Sequence, residues 1–291
     1  MFCEMEPPIE VSVARTSPCR WVLGSWMMCE KADNAESKPA DAIADWQDGD
    51  GTFYLRKSSS TDELSGGDVE ADRVHTGGSS SAVHAWCEGL ELEANTMRFV
   101  GEKAPRVPIP ELVHTWIDHD LNRTFHITKR VDGQTLERAW PQLSPPRRVQ
   151  IAHDIARFCV ALAVNTSSRL ETVTGYGVHE PRLMEGAPQA HPTWKPRRLG
   201  PLSQEAMRAY ITKISTEPAP DIEAQFHFYH ADLGPTNIIV SEDGDRVTGI
   251  IDWESAAYYP RFWVATKPVT AGAFYLECET EDPKLWEQLL G

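Results

Sequence analysis

Alternating apolar and polar residues in the first half of the chain predict a series of short β-strands. The alternation is clearest at residues 123–130, where Phe125 and Ile127 are flanked by polar side chains. A Gly- and Ser-containing loop at 76–81 joins two of the predicted strands, and residues 30–72 are otherwise rich in Ala, Asp, Glu, Ser and Gly, which favours loops and linkers. The other predicted strands are residues 52–57, 73–75, 82–83 and 107–116.

Apolar residues at helical spacing predict three helices. The first covers residues 90–103 and ends before a proline-rich stretch. The second begins with Ser144 and Pro145, because an N-cap serine followed by a first-turn proline is typical of a helix start, and the third begins after Ser203. The buried stripe of the second helix is predicted to be Val149, Ala152, Ile155, Ala156, Cys159 and Ala163.

A polar segment lies between two apolar runs in "FYHADLGPTNIIV", residues 228–240. Short strands are predicted at residues 226–229, 238–240 and 247–251, with a turn at 242–245. Buried polar side chains are costly unless they have a partner. The histidine, aspartate and asparagine of this segment are therefore candidates for function.

The charge and the cysteines of the chain indicate which partners and which compartment to expect. The 291 residues include 28 Lys and Arg against 43 Asp and Glu, a net charge of −15 without a basic block, which argues against nucleic-acid and anionic-membrane partners. The longest early apolar run, residues 21–28, is too short to span a bilayer. The six cysteines contain no C-x-x-C pair, which is typical of reduced thiols. We therefore expect a cytoplasmic protein.

The spacing of three polar residues indicates phosphoryl transfer. In His230-Ala-Asp232-x-x-x-x-Asn237, a carboxylate can accept the proton of an acceptor hydroxyl, and an amide oxygen five residues later can bind Mg²⁺. Asp252 directly follows the apolar stretch of "GIIDWE". We expect the two strands to form a hairpin that brings Asp252 to the same end of the hairpin as Asn237. Oxygen ligands of this kind are those that Mg²⁺ prefers.

These segments resemble the aminoglycoside phosphotransferase and choline kinase-like family, relatives of the protein kinases. The resemblance covers residues 73–270 and is carried by "FYHADLGPTNIIV", "GIIDWESAAYYP" and the helix segment "LELEANTMRFV". It implies an α+β, two-lobed protein-kinase-like fold with a small β-rich N-lobe and a larger, mainly helical C-lobe. On this basis residues 1–72 form a partly irregular N-terminal extension, 73–131 a shortened N-lobe and 132–291 the C-lobe.

The resemblance also implies a role for particular residues. Asp232 corresponds to the catalytic base and His230 to the residue that orients its loop, while Asn237 and Asp252 correspond to the Mg²⁺ ligands. ATP would be the donor and a hydroxyl of a small molecule the acceptor. The residues that match the family's nucleotide contacts are Glu93, Gly77, Gly78, Ser79, Lys129 and Val131.

The chain departs from the family pattern at one important position. The family places a strand with a phosphate-binding lysine between the glycine loop and the glutamate helix, yet residues 74–92 contain no lysine. Lys57 lies before the glycine loop and is a poor substitute, and the segment after Asp252 is short for the helices that wall the family's acceptor pocket. Two hypotheses stay open: an ATP- and Mg²⁺-dependent phosphotransferase, or a catalytically impaired kinase-like protein that binds a nucleotide or partner.

Overall fold

The computed structural model describes residues 12–32, 38–49, 51–59, 75–76, 79–184, 186–188, 195–215 and 218–266. These residues divide into two compact units. The first unit contains the described residues up to Glu88 together with 111–130 and 195–196, and the second contains those of 89–110, 131–190 and 197–266. The first unit is built from strands and the second from helices and small sheets, which confirms the predicted α+β class.

Five antiparallel strands form a sheet in the first unit, in the order β1-β2-β3-β5-β4. They are β1 Val13–Ser17, β2 Arg20–Leu23, β3 Met27–Ala32, β4 Ala44–Asp48 and β5 Gly51–Lys57. The sequence predicted only the last of them, and the expectation of a loop or linker at the position of β4, within residues 30–72, is wrong. Met27, Met28 and Cys29 are all buried, so β3 lacks the alternation by which strands are recognised.

A second sheet of the first unit has the order β6-β7-β9-β8. Its strands are β6 His75–Thr76, β7 Ser79–Ala85, β8 Leu112–Asp118 and β9 Arg123–Thr128. Trp116 of β8 stacks on Phe125 of β9 with ring centroids 4.8 Å apart, and both belong to one core with Met27, Phe53 and Leu55 of the first sheet. The sheets of the first unit therefore share a single hydrophobic core.

The carboxylate of Asp118 ties the two sheets together. It is fully buried, and its Oδ2 accepts hydrogen bonds from the backbone N–H and the hydroxyl of Ser25 at 2.6 and 2.8 Å. Its Oδ1 accepts from the N–H groups of Asp120 and Leu121 at 3.1 Å each. One buried side chain thus fixes both the turn after β2 and the turn after β8.

The strand β7 lies between the glycine pair and the first helix. It pairs with β9 along its whole length from Ser80 to Ala85, and no strand occurs in the described residues 86–92 that follow it. The sequence lacks a lysine throughout this part. A single strand without a lysine therefore connects the glycine pair to the first helix.

The second unit contains five α-helices, two short 3₁₀ helices and three small antiparallel sheets among its described residues. Ser144 and Ser203 precede their helices as predicted, and the Ser203 hydroxyl accepts a hydrogen bond from Ala206 N–H at 3.3 Å. The buried stripe of the second long helix is Ile151, Ala152, Asp154, Ile155 and Leu162, so Val149, Ala156, Cys159 and Ala163 are less buried than predicted. The helices are α1 Glu93–Lys103, α2 Leu136–Ala139, α3 Pro145–Ala163, α4 Gln204–Ile214 and α5 Arg261–Thr266.

Two of the three sheets of the second unit contain the strands at either end of the polar segment noted in the sequence. One has the order β10-β15-β16, with β10 Gln134–Thr135, β15 Ile238–Val240 and β16 Val247–Ile250. Another has the order β11-β14-β17, with β11 Thr166–Ser167, β14 Phe226–Tyr229 and β17 Ala257–Tyr259. The third pairs β12 Arg169–Leu170 with β13 Leu202–Ser203. No helix within the described ranges combines the length and the apolarity needed to cross a bilayer.

Gly133 lies so close to the sheet β10-β15-β16 that a side chain at this position would not fit. Its φ is +126°, and a Cβ atom there would lie 2.0 Å from the carbonyl oxygen of Val240 in β15. Gly175 also has a positive φ, +85°, but the nearest atom to its Cβ would be 3.9 Å away. Strain alone costs about 1–3 kcal/mol at either position.

We expect Gly133→Ala to lower the free energy of unfolding by at least about 1 kcal/mol more than Gly175→Ala, because a backbone oxygen cannot move aside as a flexible side chain can. Urea unfolding of the two variants measures the difference. Equal losses would show that Gly133 does not fit closely against β15.

Candidate active site

The segment between β14 and β15 forms a tight loop that starts at His230 and ends at Asn237. β14 fixes its start, because Phe226 and Phe228 are fully buried. Within the loop, Leu233 N–H donates to the His230 carbonyl at 3.1 Å, and Asn237 N–H donates to the Gly234 carbonyl at 3.0 Å. The strand and these turns give the loop a defined shape.

Asp232 and Asn237 are joined within this loop. The Asn237 side chain, which is 6% exposed, donates from Nδ2 to the Asp232 carbonyl at 2.8 Å and to its Oδ2 at 2.9 Å. The Asp232 carboxylate is exposed. Asn237 thus holds the aspartate from one side and leaves its carboxylate accessible to solvent.

The hairpin β15–β16 brings Asp252 to the same end as Asn237. Ile238 pairs with Ile250, and the N–H of Ile251 donates to the Asn237 carbonyl at 3.0 Å. Cα atoms of residues paired in this way are about 5 Å apart. The expected convergence of Asn237 with the segment that carries Asp252 is therefore present in the backbone.

Asp252 has a left-handed backbone conformation, with φ 67° and ψ 61°. Only one other non-glycine residue among those described, Asn122, has a positive φ. The conformation costs about 1–3 kcal/mol for a residue with a Cβ atom, and such strain is typical of functional sites. One hydrogen bond to a charged group contributes about 1.5–3 kcal/mol, which is enough to offset it.

His230 contacts the peptide just before Asp252. Its ring is fully buried, its Nε2 lies 3.0 Å from the Ile251 carbonyl, and its edge lies against the Trp253 ring with centroids 4.6 Å apart. Burial lowers the pKa of His230, which the hydrogen bond and the charges of Asp232 and Glu93 only partly oppose. A neutral imidazole that donates from Nε2 to the carbonyl follows from this environment.

Glu93 lies at the start of α1 and contacts the residue after Asp252. Glu93 is 8% exposed as a residue, and its Oε1 accepts a hydrogen bond from Trp253 N–H at 2.9 Å. The resemblance implied a lysine partner on a strand. Nothing in the sequence indicated that Glu93 accepts a hydrogen bond from a backbone amide 160 residues away.

The other predicted nucleotide contacts lie in different parts of the chain. Gly77 and Gly78 lie outside the described residues, and Ser79 begins β7, where its backbone pairs with Thr76. Lys129, in the first unit, forms an exposed ion pair with Glu111 at 2.8 Å. Val131, in the second unit, packs on Gly249 of β16, where a Cβ atom would lie 2.7 Å from its Cγ1.

Two further residues shape the site without having been proposed for it. The carbonyl of Pro235 in the loop accepts a hydrogen bond from Glu137 N–H at 3.0 Å, so the first turn of α2 supports the loop. Trp253 is fully buried and donates from Nε1 to the Ile250 carbonyl at 2.8 Å, so its ring belongs to the core beside the site. Its backbone N–H was the feature that sequence analysis missed.

The buried neutral state of His230 predicts a pH-dependent stability. Its usual pKa is 6.5, so the unfolded chain takes up a proton below about that pH whereas the folded chain does not. The contribution of His230 to stability is complete above pH 6.5 and declines as the pH falls, by at most about 1.4 kcal/mol per pH unit.

We expect the stability difference between the wild type and His230→Asn to be smaller at pH 5.5 than at pH 7.5, as measured by urea unfolding without metal or nucleotide. His153→Asn, at an exposed position of α3, is the control. A difference that stays constant across this range would contradict the assignment of a buried neutral histidine.

Comparison with known structures gives weak global similarity at low identity. An aminoglycoside-3'-phosphotransferase of type VIII is 18% identical, with 73% of this chain and 83% of that chain covered and a TM-score of 0.41. Aminoglycoside phosphotransferase APH(4)-Ia, in a ternary complex with ADP and hygromycin B, is 17% identical over 79% and 72% of the two chains, with a TM-score of 0.42. The GDP complex of aminoglycoside 2'-phosphotransferase-IIIa is 19% identical over 68% and 71%, with a TM-score of 0.39.

A search of curated proteins found no match. The model of the phosphotransferase enzyme family matches residues 47–263, which include the loop with Asp232 and Asn237, the hairpin and Asp252. The match covers most of the 291 residues. The chain therefore belongs to the phosphotransferase enzyme family.

Proposed function

We propose that the protein transfers a phosphoryl group from ATP, with Mg²⁺, to a hydroxyl of a small molecule. The observation that carries the proposal is the pair of hydrogen bonds from Asn237 Nδ2 to Asp232, next to the hairpin that returns Asp252. It joins a candidate base and two candidate oxygen ligands in one compact unit. Phosphoryl transfer depends almost entirely on positioning and electrostatic stabilisation of this kind.

Asp232 is the proposed catalytic base. Its exposed carboxylate can approach an acceptor hydroxyl, while Asn237 fixes its orientation through Oδ2. The carboxylate would accept the hydroxyl proton as the acceptor oxygen attacks the γ-phosphoryl group and the bond from that group to ADP breaks, so that ADP leaves. His230 contributes by holding the peptide before Asp252, because its Nε2–H donates to the Ile251 carbonyl.

Asn237 and Asp252 are the proposed Mg²⁺ ligands. Both described hydrogen bonds of the Asn237 side chain use Nδ2, so its Oδ1 could serve as one ligand, and the Asp252 carboxylate would supply a second oxygen. This donor set fits a hard divalent cation. When bound, Mg²⁺ would neutralise charge on the donor phosphates.

The nucleotide and acceptor assignments rest on the family. Glu93, Gly77, Gly78, Ser79, Lys129 and Val131 remain the proposed nucleotide-side residues, and solved relatives include complexes with ADP and GDP. A small-molecule alcohol is the proposed acceptor class, and a solved structure of APH(4)-Ia contains hygromycin B together with ADP. Cys19, Cys29, Cys87 and Cys159 are free thiols, which supports the proposal of a cytoplasmic protein.

The second candidate function, a catalytically impaired kinase-like protein, rests on one feature of the sequence. No lysine occurs in residues 74–92, and Lys57 instead ends β5 with its Nζ 5.3 Å from the ring centroid of Trp26. Removing one preorganised electrostatic contact typically lowers a rate on the order of 10²–10³-fold. We therefore expect binding to be retained and turnover to be slow.

Substitutions of the two aspartates separate binding from chemistry. We expect Asp252→Ala to abolish Mg²⁺-dependent binding of ATP, because a metal ligand is lost, and Asp232→Asn to leave that binding within about threefold of wild type while it removes turnover. Calorimetric titration with ATP in the presence and absence of Mg²⁺ measures binding, and ATP consumption with a panel of alcohols measures turnover.

Asp243→Ala, in the exposed turn between β15 and β16, is the control for both measurements. Unchanged Mg²⁺-dependent binding in Asp252→Ala would refute the metal assignment. Full turnover by Asp232→Asn would refute the assignment of the base.

A lysine can be introduced into β7 by a single substitution that leaves the pairing of the sheet intact. Val83 packs against the core of the first unit, so His84 lies on the opposite face of the strand. We expect slow ATP-dependent transfer by the wild type and a rise of up to about 10²–10³-fold in His84→Lys, with His84→Gln as the uncharged control. Wild-type turnover at about 1 s⁻¹ or faster, the ordinary range of kinases, would contradict this prediction.

A further inference from the structure

We propose that Glu93 is a positioning residue for Asp252 and acts through the backbone of Trp253. This inference rests on the proposed role of Asp252 as a metal ligand. The Glu93 Oε1 accepts the Trp253 N–H at 2.9 Å inside a buried environment, where a carboxylate hydrogen bond is strong. The first turn of α1 therefore supports the metal loop of its own compact unit.

The two peptides that flank Asp252 are held by different side chains. The peptide between residues 251 and 252 is held at the Ile251 carbonyl, which accepts from His230 Nε2 at 3.0 Å. The peptide between residues 252 and 253 is held at the Trp253 N–H by Glu93. Orienting both peptide planes fixes both φ and ψ of the residue between them. Glu93 and His230 together hold the left-handed conformation of Asp252, with φ 67° and ψ 61°.

Helix α1 is anchored firmly enough to provide this support. Phe99 of α1 packs on Phe228 of β14 and Tyr258 of β17, with ring centroids 4.8 and 6.1 Å apart. Just before the helix, Glu91 Oε2 accepts from the N–H and the hydroxyl of Thr174 at 2.9 and 2.6 Å. α1 is thus attached to the second unit near its first turn and again in its middle.

Loss of the Glu93 acceptor should release the strained residue. Without it, the peptide after Asp252 can rotate, and Asp252 can move toward a negative φ that redirects its carboxylate. Residues that orient a metal ligand typically change metal affinity 10–100-fold when they are mutated. We expect an effect of this size on Asp252.

Three variants test the role of Glu93. Glu93→Gln keeps an acceptor oxygen and loses the charge, whereas Glu93→Met has a similar length and no oxygen acceptor. Glu102→Met, at an exposed position of the same helix, controls for the introduction of methionine. The first readout is hydrogen exchange of the Trp253 amide by NMR in metal-free, nucleotide-free protein. The second is Mn²⁺ binding in the presence of ADP, measured by EPR.

We expect Glu93→Met to exchange the Trp253 amide at least tenfold faster and to bind Mn²⁺ 10–100-fold more weakly than the wild type. Glu93→Gln should recover most of both properties, and Glu102→Met should match the wild type. Wild-type exchange and affinity in Glu93→Met would overturn the inference alone. A wild-type protein that binds no Mn²⁺ with ADP would overturn the proposed function and, with it, the positioning role of Glu93.

Discussion

The left-handed backbone of Asp252 is the constraint on which the candidate site depends. A residue with a Cβ atom adopts this conformation only when its surroundings determine it. Here the Ile251 carbonyl is held by His230, the Ile251 N–H by Asn237, and the Trp253 N–H by Glu93. The direction of one carboxylate thus depends on a loop, a hairpin and a helix at the same time.

Much of the second unit can be understood as support for these three contacts. β14 and β17 pair beside the loop that contains His230, and the hairpin β15–β16 carries Asn237 and Asp252 at its two ends. Gly133 permits β10 to approach β15, and Pro235 of the loop accepts a hydrogen bond from α2. The apolar strands supply rigidity, and the polar residues beside their ends form the candidate site.

Sequence reasoning succeeded where local patterns determine the structure. The strands around residues 226–250 and the helices after Ser144 and Ser203 follow from alternation, caps and turn residues, and the motif spacing led to the family. It did not predict β1 to β4. In β3, neighbouring residues such as Met27 and Met28 are both buried, so no alternation results. The contact between Glu93 and Trp253 could not be predicted either, because it joins residues 160 positions apart and uses a backbone amide, which has no sequence signature.

The absence of a lysine from β7 does not affect the hydrogen bonds that hold the candidate site residues. The residues that hold Asp232, Asn237 and Asp252 all lie in the second unit, and none of their described hydrogen bonds requires a lysine. A metal-dependent nucleotide site can therefore persist in a protein whose rate of transfer is low. Under the proposed function, Mg²⁺-dependent nucleotide binding and turnover are therefore separable.

The most direct test of this account is the anomalous scattering of Mn²⁺ in crystals grown with ADP. The account predicts an anomalous peak within coordination distance, about 2.1 Å for Mg²⁺, of both Asn237 Oδ1 and the Asp252 carboxylate, with Asp252 still left-handed. A peak that contacts neither residue, or an Asp252 with a negative φ beside the bound metal, would contradict it.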